Sequence, residues 1–519
     1  MNSRDGASDA VRFLLDGQAV EVRGLPRTMT VLEYLRDVAH RTGTKEGCAE
    51  GDCGACTVVL GTLAEDGDHV AYRAVNSCIR FLPTIDGQEL VTVESLRAPD
   101  GALHPVQQAL VDLHGSQCGF CTPGFVMSLF ALYLAEPAPH REQVLDALSG
   151  NLCRCTGYRP IIAAGCAMAA YPTPMHWGRE APAEAGRCDS LRRLRRQRTD
   201  SLRFEGFHAP RSLDALAAAL VQDPDSLVLA GGTDIGLLVT KQLRELPPII
   251  YIGEIGELQT VRRDAAGLVI GAAVTLTDAW EALVGAFPPL AEQAQRFGSP
   301  PVRNSGTLCG NLANGSPIGD SIPVLIALGA ELELRRGGET RRLPLERFYL
   351  GYQRKELARG EFIVSVTVPP PRANSRLASY KLSKRFDQDI SALSGAFAIE
   401  VEEGRVAAAR LVFGGLAAVA ARAPAAERAL IGATWAESAI ERAAARLADD
   451  FQPLTDWRAS AAYRLDTAAN LLRRFYAEHG GKGGGATRTA AAVTAAGTTL
   501  AGTTLAGTTV AATATQGAQ

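Results

Sequence analysis

Histidine is scarce in this chain: eight residues in 519, none spaced from another as metal ligands would be, so no chemistry is assigned to them. A surplus of one charge is lacking too. With 53 basic against 56 acidic side chains the net charge is only −3, which leaves no global field to draw in nucleic acid or anionic lipid. Long hydrophobic runs are absent. The apolar stretch Gly124 to Ala135 is too short to cross a bilayer, and the polar first ten residues lack the apolar core of a secretory signal. These absences predict a cytoplasmic protein. Apolar residues at 46% and charged residues at 21% exclude a chain disordered throughout, a collagen or a coiled coil. At roughly 100 to 200 residues per domain, the length predicts about three to five domains.

Cysteine is modest in number, but eight of the eleven lie between Cys48 and Cys155. In a reducing compartment such clustering favours metal ligation over disulfides. Around them, Val11 to Val22 alternates about Asp16-Gly17 as a hairpin does. Thr30 to Ala39 has helical spacing, with Thr28 or Thr30 to cap it. Thr57 to Leu60 and Val70 to Asn76 suit strands, giving a β-rich first domain that ends near residue 83. Pro105 to Leu113, Pro123 to Leu134, Arg141 to Leu148 and Pro160 to Ala170 read as helices, three with proline at the start, and predict a helical bundle.

Between Pro172 and Leu202 the composition shifts to Pro, Gly, Ala and Arg, as in a linker. Its arginines (192, 193, 195, 196 and 198) either meet phosphates or, lacking interleaved aromatics, belong to a solvated or subunit-contacting linker. From Leu202 to about Val368 short β-like runs mix with helices. From Leu377 to about His479 strand-like runs precede a long helical tail, which predicts two packed layers. Beyond Gly480 the chain is Gly, Ala and Thr, with an Ala-Gly-Thr-Thr-Leu/Val repeat that cannot form much of a core. Within it, the Gly481-Lys482-Gly483 stretch mimics a dinucleotide fingerprint, but no strand precedes it, so it reads as a decoy.

Cys48, Cys53 and Cys56 form C-x₄-C-x₂-C, with Cys78 following, the order and spacing of a plant-type [2Fe–2S] site. Gly43, Gly47, Gly51 and Gly54 fit a loop that must present backbone N–H groups to sulfur. Four thiolates also satisfy tetrahedral zinc, although the x₄ gap and the glycine loop fit it poorly. Cys118-x₂-Cys121 and Cys153-x-Cys155 make a second set of four thiolates, each pair just before a helix whose N-terminus stabilises thiolate. Cys166, Cys188 and Cys309 have no partner in the pattern and read as buried thiols or linker residues.

Two glycine turns follow. Leu229, Ala230, Gly231, Gly232, Thr233, Asp234 and Ile235 run from an apolar strand into Gly236. Gly306, Thr307, Leu308, Cys309, Gly310 and Asn311 precede Gly315 to Asp320. Such turns bring backbone N–H groups up to a pyrophosphate, with Thr233, Ser316 and Asn311 as added donors. By spacing alone they are equally compatible with ordinary loops.

Taken in order, Lys45 to Thr57, Gln117 to Gly124, Gly150 to Tyr158 and the two glycine turns resemble the xanthine dehydrogenase family, most closely the small iron–sulfur and FAD subunit of its two-subunit bacterial members. The similarity runs from about Val11 to about Tyr476. It implies an α+β multidomain protein: a β-grasp [2Fe–2S] ferredoxin domain (10–83), a helical [2Fe–2S] domain (84–171), a linker (172–201), an FAD domain of the vanillyl-alcohol-oxidase (PCMH) type (202–370), a small α+β C-terminal flavoprotein domain like that of CO dehydrogenase (375–479) and a low-complexity, disordered tail (480–519).

By the same similarity the two turns hold FAD, with Phe297, Asp320, Ile363 and Lys381 as further contacts, and the eight clustered cysteines hold two [2Fe–2S] clusters. Cys309 stands where many relatives carry glycine. Lys384 to Ile390 resembles a loop near the flavin that affects access of NAD. No segment is long enough for the molybdenum-pterin domain that hydroxylates purines in this family, which implies a separate large subunit and a heterotetramer of two small and two large subunits. Electrons from xanthine or hypoxanthine would reach NAD⁺ through this chain, which would carry no catalytic residue of its own. The alternative is the same relay serving another molybdenum hydroxylase, with an aldehyde or N-heterocycle substrate.

Overall fold

In the hairpin that opens the chain, strands Val11–Leu15 and Gln18–Val22 pair antiparallel. Asp16 and Gly17 both carry positive φ, 54° and 75°, the backbone of a tight turn between twisted strands. This computed structural model describes residues 8–177, 181–196 and 201–480; the repeat tail lies outside the described residues. The hairpin joins a five-stranded sheet in the order Gln18–Val22, Val11–Leu15, Glu89–Val91, Thr57–Leu63, Val70–Asn76, with Val11–Leu15 and Glu89–Val91 parallel. Residues 31–38 form the covering helical segment, opened by a capping box between Thr30 and Glu33. This is a β-grasp fold.

Strand alternation sends neighbouring residues into different cores. Val58 and Leu60 pack with Phe13, Leu35 and Phe81, whereas Val59 turns to the other face with Ala74 and Val91. On that second face lies the helical domain: Pro105–Asp112, Thr122–Ala135, Arg141–Leu148 and Arg159–Ala167. Helix Thr122–Ala135 buries Phe125, Val126, Met127, Leu129 and Phe130 against it.

The linker expectation needs correction. Pro182–Arg196 is a helix that docks Cys188, Leu191 and Leu194 on Leu14 and Val70 of the sheet. Buried Glu184 accepts from the Val70 amide at 2.8 Å. Three apolar residues at three-residue spacing make a narrow stripe, which the intervening arginines disguise in the sequence. Of these, Arg192 is held by the Gly67 carbonyl and Asp189, so it is not presented to phosphate.

The third domain has two larger sheets and a short two-stranded one, Tyr349–Gly351 with Arg354–Lys355. Of the larger sheets, one runs Leu202–Phe204, Phe207–Ala209, Ile249–Tyr251, Leu227–Leu229; the other runs Val261–Asp264, Gly267–Gly271, Phe362–Val368, Glu331–Arg336, Glu339–Pro344. Phe207, Leu229, Ile249 and Tyr251 of the first sheet share one core with Phe13 and Val58. The first and third domains are therefore packed as a single body, not strung on a tether. The last domain sets the antiparallel sheet Ser375–Leu382, Leu393–Glu402, Arg405–Gly414, Ala421–Arg422 under helices Pro424–Leu430, Glu437–Ala445 and Ala461–His479, with Phe397, Phe413 and Phe475 between the layers.

Candidate functional site

The first cysteine set converges. Cys56 and Cys78 bring their sulfurs to 3.3 Å, one from the end of the glycine loop and the other from just past strand Val70–Asn76. Cys48 lies within hydrogen-bonding reach of Cys53 and Cys78, and its sulfur accepts the Glu50 and Cys53 amides at 3.4 Å each. The Cys53 and Cys78 thiols, more than these amides, hold the Cys48 thiol far below the usual range. Asn76 Nδ2 approaches the Cys56 sulfur at 3.8 Å. Gly51 and Gly54 hold positive φ (77° and 70°), a conformation open to glycine at little cost.

In the second set Cys121 stands at the N-terminal boundary of helix Thr122–Ala135 without a side-chain capping bond and pairs with Cys153, while Cys155 pairs with Cys118. Burial, more than this pairing, pushes Cys121 up to about 12. The Cys153 sulfur accepts the Thr156 amide at 3.4 Å. Cys118 and Cys155 are exposed, whereas Cys56, Cys78 and Cys153 are buried.

Both sets fit the group that their motifs imply. The thiols of each set converge, and amide donors point at sulfur that would carry negative charge. Among the described residues no three His, Cys, Asp or Glu side chains gather round one point as a single-ion site.

At the glycine turns, a Cβ on Gly231 would lie 2.0 Å from the Ser305 carbonyl and 2.6 Å from Gly306 Cα, so the two turns touch backbone to backbone and only glycine fits. Gly232 has φ 77°. Thr307 caps helix Leu308–Asn314 by accepting the Gly310 amide at 3.0 Å. The Asn311 side-chain Oδ1 accepts from the Ser321 hydroxyl at 2.6 Å, and burial raises the Asp234 carboxyl.

Asp320 and Lys381, 61 residues apart, form a buried ion pair at 2.6 Å, and Ser391 donates to the other Asp320 oxygen at 2.6 Å. They thus pin both ends of the Lys384 to Ile390 loop. Phe297 leans on Trp280, with ring centroids 5.5 Å apart, and Ile363 sits in strand Phe362–Val368. Cys309 turns its sulfur into the core toward the Ile270 carbonyl, where burial pushes the thiol up to about 12; its side chain serves packing.

A cavity of about 840 Å³ lies behind the turns, between Ala230, Gly231, Ser305 and Thr307 on one wall and Arg73, Arg80 and Asp86 on the other. It reaches none of Phe297, Asp320, Ile363 or Lys381. It is a cleft between the first and third domains, floored in part by the glycine turns.

The sequence reading missed the contacts that join the sites. Thr240 donates to the Ala49 carbonyl at 2.7 Å and Lys241 to the Cys48 carbonyl at 3.0 Å. Helix Ile235–Thr240, which follows the first glycine turn, therefore leans on the first cysteine loop. A Cβ on Gly236 would lie 2.5 Å from the carbonyl of Ile79, the neighbour of Cys78. Between the two cysteine sets, the Leu152 amide donates to the Cys53 carbonyl at 3.0 Å. Arg73 forks onto Asp278 at 2.6 and 2.9 Å, and Asn304 donates to the Ala74 carbonyl at 3.0 Å. No local pattern announces such pairs, because each partner is an unremarkable polar residue until the domains meet.

Four family models match in chain order: a 2Fe-2S iron-sulfur cluster binding domain at 13–82, a [2Fe-2S] binding domain at 92–166, an FAD binding domain in molybdopterin dehydrogenase at 202–371 and a CO dehydrogenase flavoprotein C-terminal domain at 378–479. Xanthine dehydrogenase 2 of Arabidopsis thaliana is 30% identical over 483 residues, 80% of this chain and 36% of that protein. Xanthine dehydrogenase of Emericella nidulans is 31% identical over 528 residues, 90% of this chain and 38% of that protein. The chain thus spans well under half the length of these relatives. A solved carbon monoxide dehydrogenase chain from Hydrogenophaga pseudoflava is 32% identical over 52% of this chain and 94% of its own, at a TM-score of 0.49.

Proposed function

The chain has the domain arrangement of the small iron–sulfur and FAD subunit of the xanthine dehydrogenase family, and from that premise we propose that it is the electron-transfer subunit of a xanthine dehydrogenase. In this reading a molybdenum-pterin site on a large partner subunit hydroxylates xanthine or hypoxanthine with water. The electrons then cross this chain to NAD⁺, within a heterotetramer of two small and two large subunits. The eight clustered cysteines would ligate the two [2Fe–2S] clusters, and Leu229 to Ile235, Gly306 to Asn311, Phe297, Asp320, Ile363 and Lys381 would hold FAD. When bound, the clusters supply one-electron transfer, and the flavin pools two electrons for a hydride acceptor.

The observation that carries the reading is the unbroken chain of contacts from exposed Cys118 and Cys155, through Leu152 and Cys53, to the helix behind the first glycine turn. The residues hold the three sites in one packed body, keep Cys56, Cys78 and Cys153 away from water and aim amide donors at sulfur. The Asp320–Lys381 pair fixes the base of the loop beside the flavin pocket.

The test is co-expression with the large subunit followed by metal and flavin analysis and a substrate panel. Xanthine-dependent NADH formation with iron, labile sulfide and FAD on this chain is expected. Turnover of an aldehyde or another N-heterocycle instead would keep the relay and replace the substrate; a colourless chain with stoichiometric zinc would end both.

A further inference from the structure

We propose that Asn151 is a positioning residue that sets the electronic coupling between the two cysteine sites. The inference rests on the electron-relay reading and deepens it. Asn151 sits two residues before Cys153, is only 3% exposed, and spends its whole side chain on the seam between the first two domains. Its carbonyl oxygen accepts from Ser128 of helix Thr122–Ala135 at 2.7 Å, and its Nδ2 donates to the Gly54 carbonyl at 3.2 Å.

Between these two bonds lies the shortest polar link joining the sites: the Leu152 amide donates to the Cys53 carbonyl at 3.0 Å. That single bond connects a ligand of one site to the neighbour of a ligand of the other. Asn151 grips the residue after Cys53 and itself precedes Leu152, so it braces the link from both sides.

The surrounding backbone is packed to the limit that glycine allows. A Cβ on Gly54 would lie 2.2 Å from the Gly150 carbonyl, and one on Gly124 would lie 2.0 Å from the Gly54 carbonyl. The helical domain therefore cannot close further on the cysteine loop, and the amide of Asn151 governs lateral position. The Gly54 carbonyl also accepts the Thr57 amide at 3.1 Å and the Thr57 hydroxyl at 2.7 Å. Removing the Asn151 donor leaves that acceptor satisfied, so the loss falls on alignment more than on folding.

The experiment uses the full chain with its cofactors and compares wild type with Asn151→Ala. One readout is the magnetic interaction between the two reduced clusters in low-temperature paramagnetic resonance. The other is the rate at which flavin is reduced after a flash with a photogenerated one-electron reductant, which is oxidised by one electron for each electron delivered. The variant is expected to keep wild-type iron, sulfide and flavin, to show a weakened interaction and to reduce flavin about tenfold more slowly, the size seen when a residue supporting a metal ligand is lost.

Unchanged splitting and flavin rate in a fully loaded variant, with or without a lower melting temperature, would overturn the assignment. Ser128→Ala frees the same amide without touching the cysteine loop, and it decides the matter should Asn151→Ala fail to load. A shift in the same direction supports the assignment and wild-type behaviour refutes it. A wild-type chain that lacks clusters, or never passes the electron to flavin, would instead sink the relay itself.

Discussion

At the scale of single residues, the proposed ligand roles are open to test by substitution. Cys53 both supplies a thiol and lends its carbonyl to Leu152, so Cys53→Ser is expected to abolish one of two cluster signals in paramagnetic resonance while FAD stays bound. His104 shows what burial does away from those sites. It is inaccessible to solvent, its Nδ1 accepts the Val106 amide at 3.2 Å, and its ring stands edge-on to Phe130 and Tyr133. Burial lowers its pKa from 6.5 to about 3. The unfolded chain then binds a proton that the native state refuses, so stability falls as pH drops below about 6.5 and the loss levels off near 3. The slope is at most about 1.4 kcal/mol per pH unit. His104→Gln should flatten that slope between pH 6 and 4 in denaturant titrations.

At the scale of elements, two devices stand out. The glycine turns work as a touching pair, and a Cβ on Gly231 has nowhere to go. Gly231→Ala is therefore expected to lose flavin, seen as loss of flavin absorbance in the purified chain, with iron content unchanged. Helix Pro182–Arg196 acts as a strap on the first sheet. Leu191 is fully buried there, and Leu191→Ala should cost about 3 kcal/mol, measured as a lower unfolding midpoint with cluster spectra intact. The periodic elements were legible because local chemistry dictates them: the Asp16-Gly17 turn, the Thr30 cap and the proline-led helices all form where expected. The strap was not. Its apolar stripe is one residue wide and lies among arginines that lower every local average of hydrophobicity.

For the whole molecule, what matters is how few rigid bodies there are. Sharing Phe13, Val58, Phe207 and Ile249 in one core makes the first and third domains move together, and Arg303, buried and within 3.4 Å of Asp146, ties the third to the second. Among the described residues no helix is long and apolar enough to cross a membrane. Removing residues 481–519, whose composition offers no core, should leave flavin content, iron content and electron transfer unchanged; a large loss in any of them would show that the tail is a working contact.

Spacing in the sequence picked out two groups of four cysteines, and it marked the glycine turns, because close backbone approach tolerates no Cβ. The order of the domains was legible from the same motifs. Only the tertiary structure decided that the sites touch: the Leu152–Cys53 bond, the Thr240 and Lys241 contacts and the Asp320–Lys381 pair join residues from 61 to 193 positions apart. Such pairings depend on where packed cores come to rest, and no local pattern of residues encodes that.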